Sequence, residues 1–113
     1  MKFYKFMQNN TGGSFEVNSS VSVQVYIQAP NANQANIRAQ QIGIYFDGVD
    51  RQLDCDCCGD RWYRASEGNV FDDPDDDKYI SMLWVQEGFP YAHIYYADGS
   101  AQERKLNPRL TQE

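Results

Sequence analysis

Between Ser20 and Gln28 the chain alternates without a break, with Val21, Val23, Val25 and Ile27 on one side and Ser22, Gln24, Tyr26 and Gln28 on the other. A two-residue repeat puts one apolar face on a core and one polar face toward solvent, which predicts a half-buried strand. Past Pro30 the period changes: Ala32, Ala35, Ala39 and Ile42 recur at three- and four-residue steps. That stripe predicts a helix of about three turns from Asn31 to Ile42. Asn31 is suited to cap its free amides, with Gln34 three positions on as in a capping box. Gly43 is placed to end the helix and to let Ile44 pack back toward Ala39. Alanines in the stripe imply close approach to a sheet; Ile37 falls outside it.

Other strands are predicted around this pair. Lys2–Met7 is rich in aromatics, breaks at Asn9-Asn10-Thr11-Gly12-Gly13, and is followed by Phe15 and Val17, a hairpin pattern. Tyr79–Val85 and Tyr91–Tyr96 read as strands, and Asp98-Gly99 as a tight turn into Ala101–Leu106, since both residue types tolerate positive φ. Asn107–Glu113 reads as a frayed tail. At 113 residues the chain has the size of one domain, residues 1–113. The fold class expected is α+β: an antiparallel sheet with the one main helix packed on it, and a long acidic, cysteine-containing loop at 47–77. Val21, Val23, Val25, Ile27, Ala35, Ala39 and Ile42 form the expected core.

Composition is that of a globular protein, with 42% hydrophobic and 23% charged residues. No apolar run approaches the roughly 18 residues of a membrane span, and the start lacks the apolar core of a signal peptide. Cys55, Cys57 and Cys58 are three cysteines in one short loop, unlike the even, spread set of secreted domains. Reduced thiols and a cytoplasmic location are therefore expected. Residues 47–77 hold eleven acids against three arginines, net −8 in a chain whose total is −6. Such a middle is unsuited to nucleic-acid phosphates and suited to a basic protein surface, or is simply a solvated loop.

Three segments carry candidate chemistry. Cys55-Asp56-Cys57-Cys58-Gly59 contains the C-x-x-C-G spacing of a zinc knuckle. Zinc would be held by at least Cys55 and Cys58, with Cys57 and His93, the single histidine, as further candidate ligands. Adjacent Cys57 and Cys58 are expected to diverge, and the alternative is a cluster of reduced, partly buried thiols. Redox or nucleophilic chemistry is disfavoured because Asp54, Asp56 and Asp60 raise thiol pKa values, so no enzyme and no certain cofactor is expected. Arg61, Trp62, Tyr63 and Arg64 interleave cations with aromatic planes, suited to stacking a base or clamping a phosphate. The alternative is a strand whose Trp62 enters the core while the arginines pair with nearby aspartates. Asp72, Asp73, Asp75, Asp76 and Asp77 lack the pattern of a calcium loop and are expected to form a surface for a basic partner, with Asp75, Asp76 and Asp77 replaceable by Asn at nearly unchanged stability.

The segments Lys2-Phe3-Tyr4-Lys5-Phe6, Gln8 to Phe15, Gly43-Ile44-Tyr45-Phe46-Asp47-Gly48, Cys55-Asp56-Cys57-Cys58-Gly59-Asp60-Arg61-Trp62 and Tyr95-Tyr96-Ala97-Asp98-Gly99 together make the chain resemble a family of short, functionally uncharacterised proteins of tailed bacteriophages. That family carries proline where Asp56 stands. The resemblance implies a phage product acting in the cytoplasm of the infected host cell, and it implies no activity. Sixteen aromatics, eight of them tyrosine, favour a binding surface. The first expectation is a non-catalytic accessory protein that binds a host protein, counter-defence being one setting. The others are a binder that sequesters a small ligand or nucleotide signal through Arg61 and Arg64, and a zinc-stabilised structural or virion-associated piece. Oligomeric state has no signature in the sequence.

Overall fold

In the computed structural model, which describes residues 1–9, 15–80 and 88–105, the helix sits against a five-stranded sheet. The strands are β1 (Lys2–Met7), β2 (Gln24–Ala29), β3 (Val70–Phe71), β4 (Pro90–Tyr95) and β5 (Ala101–Lys105), and the helix α1 spans Ala32–Gln41. Their order is β3-β1-β2-β4-β5. The sheet is mixed, which corrects the antiparallel expectation: β2 and β4 run parallel, Val25 beside His93 and Ile27 beside Tyr95, while every other pairing is antiparallel. Parallel neighbours need a long crossover, and here α1 and everything up to residue 89 supply it.

The amino-terminal hairpin is likewise corrected. β1 pairs with β2, Lys2 opposite Ala29 and Met7 opposite Gln24, while residues 15–17 form no strand. Lys2–Met7 gains more by lying between two strands, buried on both sides, than by pairing with the short Phe15–Val17 segment.

The helix has the ends its sequence specifies. Asn31 Oδ1 accepts the Gln34 amide at 2.9 Å, and Glu67 Oε2 accepts the Ala32 amide at 2.8 Å, so two free donors of the first turn are satisfied. At the other end Ile44 N donates to Ala39 O at 3.0 Å and the Ile44 side chain is buried. Ala35 and Ala39 are fully buried and Ile42 is half-buried against the same cluster, whereas Ile37 is exposed. Tyr4, Phe6, Val25, Ile27, Trp62 and Tyr95 complete this side of the core.

β2 departs from the half-buried reading because its second face is covered too. Phe3, Tyr26, Ile80, Ala92 and Ile94 make a second cluster on the side away from the helix, so Gln24 and Tyr26 are as buried as the valines. The cover comes from the end of the acidic segment, where Pro74–Asp76 form one turn of 3-10 helix and lead to Ile80. Tyr79 and Ile80 themselves lie in a turn, and the remainder of the predicted strand Tyr79–Val85 falls outside the described residues, as does the tail from 106. The β4–β5 hairpin forms around Asp98-Gly99, with only Gly99 at positive φ (96°). Tyr96 N bonds to Ser100 O and Gly99 N to Tyr96 O, a three-residue loop in place of the two-residue turn. The edges are short at β3 and charged at β5, two devices that discourage further strand addition.

Candidate cysteine site and its acidic surroundings

The cysteine loop projects from a buried polar base. Asp54, its side chain 1% exposed, accepts the Tyr45 hydroxyl at 2.7 Å and the Arg61 amide at 2.8 Å, so the residues before and after the loop are tied together. Arg61 Nε donates to the Tyr45 hydroxyl at 3.2 Å, and its terminal nitrogen donates to Gln8 Oε1 at 3.0 Å. Burial pushes the Tyr45 hydroxyl pKa up, and its bond to Asp54 adds to the shift. No side chain fits at Gly48, where a Cβ would stand 1.9 Å from Asp54 Oδ2. From the end of β1, Asn9 Nδ2 donates to Cys58 O at 2.7 Å, which pins the far side of the loop.

Within the loop the amides of Cys58 and Gly59 both donate to Cys55 O, at 3.2 and 3.1 Å. Gly59 has φ +88°, a conformation that glycine adopts without strain, and a Cβ there would crowd the Tyr63 hydroxyl at 3.3 Å. This turn gathers the three sulfurs to within 4.8 Å of one another, all in exposed residues. Cys57 and Cys58 converge, with sulfurs 3.5 Å apart, which corrects the expectation that neighbouring side chains diverge. The tight 55–59 turn, not an extended backbone, sets their direction. Cys55 and Cys57 are joined by a disulfide with Cα atoms 5.4 Å apart, and Cys58 is free, so neither three reduced thiols nor partial burial describes this form. Among the described residues, the three cysteines, once reduced, are the one group of side chains that could hold a metal ion.

His93 is not among them. Its side chain is 2% exposed, with Nδ1 3.0 Å from Ser22 Oγ and Nε2 3.2 Å from Ser19 O and 3.3 Å from Glu103 Oε2. Burial lowers its pKa, and the nearby Glu103 carboxylate offsets only part of that. Its place on the sheet, beside Val25, follows from the parallel pairing that sequence periodicity does not reveal.

Trp62 is 1% exposed within the helix-side core, so it offers no face to a base or a partner. Its neighbours diverge: Tyr63 is 56% exposed, Arg61 belongs to the Asp54 base, and Arg64 makes two hydrogen bonds to Asp47, at 2.7 and 3.1 Å. That pairing holds the Asp47 carboxyl below its usual pKa. The segment forms no strand.

The aspartate run is divided among the folded elements. Asp72 pairs with Lys2, and Asp75 pairs with Arg104 at 2.6 Å. Asp73 caps the 3-10 turn by accepting the Asp75 amide, and Asp76 stays exposed. Asp77 is buried, which removes it from any partner surface: its Oδ2 accepts Lys5 Nζ at 2.7 Å and the Tyr26 hydroxyl at 2.6 Å, and Oδ1 accepts the Tyr79 amide at 3.0 Å. Burial alone pushes the Asp77 carboxyl up, but the Lys5, Tyr26 and Tyr79 bonds together outweigh it and hold the pKa low. Lys5 and Tyr26 are directly opposite in the β1–β2 register, so the sheet itself sets two corners of this triad. Lys5, Lys78, Asp76 and Asp77 line, with Phe71 and Tyr79, a cleft of about 360 Å³. Its two cations face two carboxylates, leaving no net charge to draw a phosphate.

No helix among the described residues is long and apolar enough to cross a membrane. No curated protein and no solved structure matches the chain. A family model does match it, over residues 1–110, and the chain therefore belongs to the family defined as Domain of unknown function (DUF7296).

Proposed function

We propose that the protein is a non-catalytic accessory protein of a tailed bacteriophage that binds a basic surface of a host protein in the cytoplasm of the infected cell. The phage setting is supported by the sequence resemblance carried by the segments from Lys2 to Gly99. The observation that carries the binding role is an exposed tip on a rigid base: Leu53 and Tyr63 are 55% and 56% exposed on either side of the cysteine loop. Asp50 and Asp56, before and within the loop in sequence, are exposed as well. Pre-ordering such a loop removes entropy that association otherwise costs, and a half-exposed tyrosine is the anchor type that interfaces favour. Capture from host lysate tests this. One host protein should be retained by the wild type, lost on Tyr63→Ala, and weakened by salt and by Asp56→Asn. Capture that Tyr63→Ala and Leu53→Ser leave unchanged would move the interface elsewhere.

A second reading, zinc on the cysteine loop, is favoured by the meeting of three sulfurs within 4.8 Å. Soft thiolates select zinc over oxygen-seeking ions. Elemental analysis of reduced protein should give near-stoichiometric zinc that Cys55→Ser removes.

A further inference from the structure

We propose that zinc on this loop is held by three protein sulfurs, those of Cys55, Cys57 and Cys58, with its fourth position open to an external donor, and that the Cys55–Cys57 disulfide is the alternative state that releases it. This rests on the zinc reading and is independent of the host-protein reading.

The geometry carries both halves. Zinc–sulfur bonds of about 2.3 Å place tetrahedral sulfurs about 3.8 Å apart. Cys57 and Cys58 sulfurs are already 3.5 Å apart and all three lie within 4.8 Å, so once the Cys55–Cys57 bond is reduced those two sulfurs need only part to about 3.8 Å to form the site. The turn that gathers them needs no metal, because the Asp54–Arg61 tie, the Asn9 bond and the two amides on Cys55 O hold it. No fourth histidine, cysteine or carboxylate joins the cluster among the described residues, and all three cysteines are exposed, so the remaining position faces solvent. A zinc ion with one open position accepts an outside thiolate, imidazole or water.

The disulfide uses two of the same three ligands. Its formation from the zinc form balances with a peroxide as oxidant: the Cys55 and Cys57 thiolates give up two electrons and form the sulfur–sulfur bond. The peroxide accepts those two electrons as its oxygen–oxygen bond breaks, and the two hydroxides formed take two protons from solvent to leave as water. Zinc, left with Cys58 alone, loses most of its affinity and departs. A thiol reductant reverses the step by returning two electrons.

The test uses the reduced full-length protein loaded with zinc, or with cobalt as a visible probe. One ion per chain should bind. Imidazole or a small thiol should shift the cobalt bands, as a site closed by four protein ligands does not. Stoichiometric hydrogen peroxide should release the zinc while titratable thiols fall from three to one, and Cys58→Ser should weaken zinc at least about tenfold with unchanged far-ultraviolet circular dichroism. Cobalt bands that ignore added ligand, or zinc that stays bound after two thiols are lost, would overturn this inference and leave the zinc reading intact. Failure of the reduced protein to bind zinc overturns both.

Discussion

Asp77→Asn should be among the most damaging single changes in the acidic segment, although it changes the side chain by one atom. The Lys5 and Asp77 side chains are 9% and 3% exposed, so the substitution leaves a buried ammonium facing a neutral amide. Removing one partner of a buried pair costs about 3–5 kcal/mol, against about 5–15 kcal/mol for the whole stability of a small domain. With an unfolding entropy of about 2.1 cal/mol/K per residue, a chain of this length loses about 4 °C of melting temperature per kcal/mol, hence about 12–20 °C here. By contrast, Asp76→Asn removes an exposed charge and should change stability by less than about 0.5 kcal/mol. Asp72→Asn and Asp75→Asn break exposed, solvent-screened pairs and should cost far less than Asp77→Asn. Thermal and urea unfolding followed by circular dichroism ranks the four. Adding Lys5→Met to Asp77→Asn should restore part of the loss, because the orphaned charge is then gone. An Asp77→Asn protein that melts with Asp76→Asn, or a double variant whose loss equals the sum of the singles, would refute the buried-pair argument.

Three further outcomes follow from the same geometry. His93 has its pKa held below 6.5, so the unfolded chain takes up that proton first; stability should be full above about pH 6.5 and fall as pH drops through the folded value, by at most about 1.4 kcal/mol per pH unit. Urea titrations from pH 7 downward should show this slope in the wild type and lose it in His93→Gln. Gly48→Ala should displace the Asp54 carboxylate and cost about 2–4 kcal/mol, and thiol-reactivity measurements should show the cysteine loop loosened, whereas a glycine swap at exposed Leu53 should do neither. Asn31→Ala should cost about 1 kcal/mol through the lost cap, read from the urea midpoint at constant m-value.

What could be read from the sequence was local. The residues from Val21 to Ile44 declare a strand, a capped helix and its termination because each signal lies within four positions of its partner, and the structure contains all three. The sheet order was not legible, since β2 lies parallel to β4 and nothing in either strand's alternation encodes a neighbour so distant in sequence. The same holds for the second face of β2. Its glutamine and tyrosine read as solvent-facing, yet Tyr26 is buried because Asp77, 51 positions away, accepts its hydroxyl. Convergence of Cys57 and Cys58 depends on a turn pinned by Asn9, 49 residues upstream of Cys58, and so was invisible as well.

The acidic segment looks different once its partners are known. A run of like charges gains nothing by proximity, but these aspartates are not used together: Asp47 meets Arg64, Asp54 meets Arg61, Asp72 meets Lys2, Asp75 meets Arg104 and Asp77 meets Lys5. Those cations come from β1, β5 and the segment itself, so each pairing anchors a different stretch of the insertion to the sheet or to its own base. Two of the five, at Asp54 and Asp77, are buried and fix the cysteine loop and the cover of the second face. The charges left without an ion pair among the described residues are Asp50, Asp56, Asp60, Glu67, Asp73 and Asp76. Of these, Asp60 accepts the Val49 amide, Glu67 accepts Tyr4 and the helix, and Asp73 caps its own turn. Asp50 and Asp56, just before and within the cysteine loop in sequence, therefore remain, with Asp76 at the other end of the segment. Any electrostatic attraction of a basic partner should concentrate at the cysteine tip, so neutralising Asp50 and Asp56 should slow association more than neutralising Asp76, a difference that stopped-flow binding at low salt resolves.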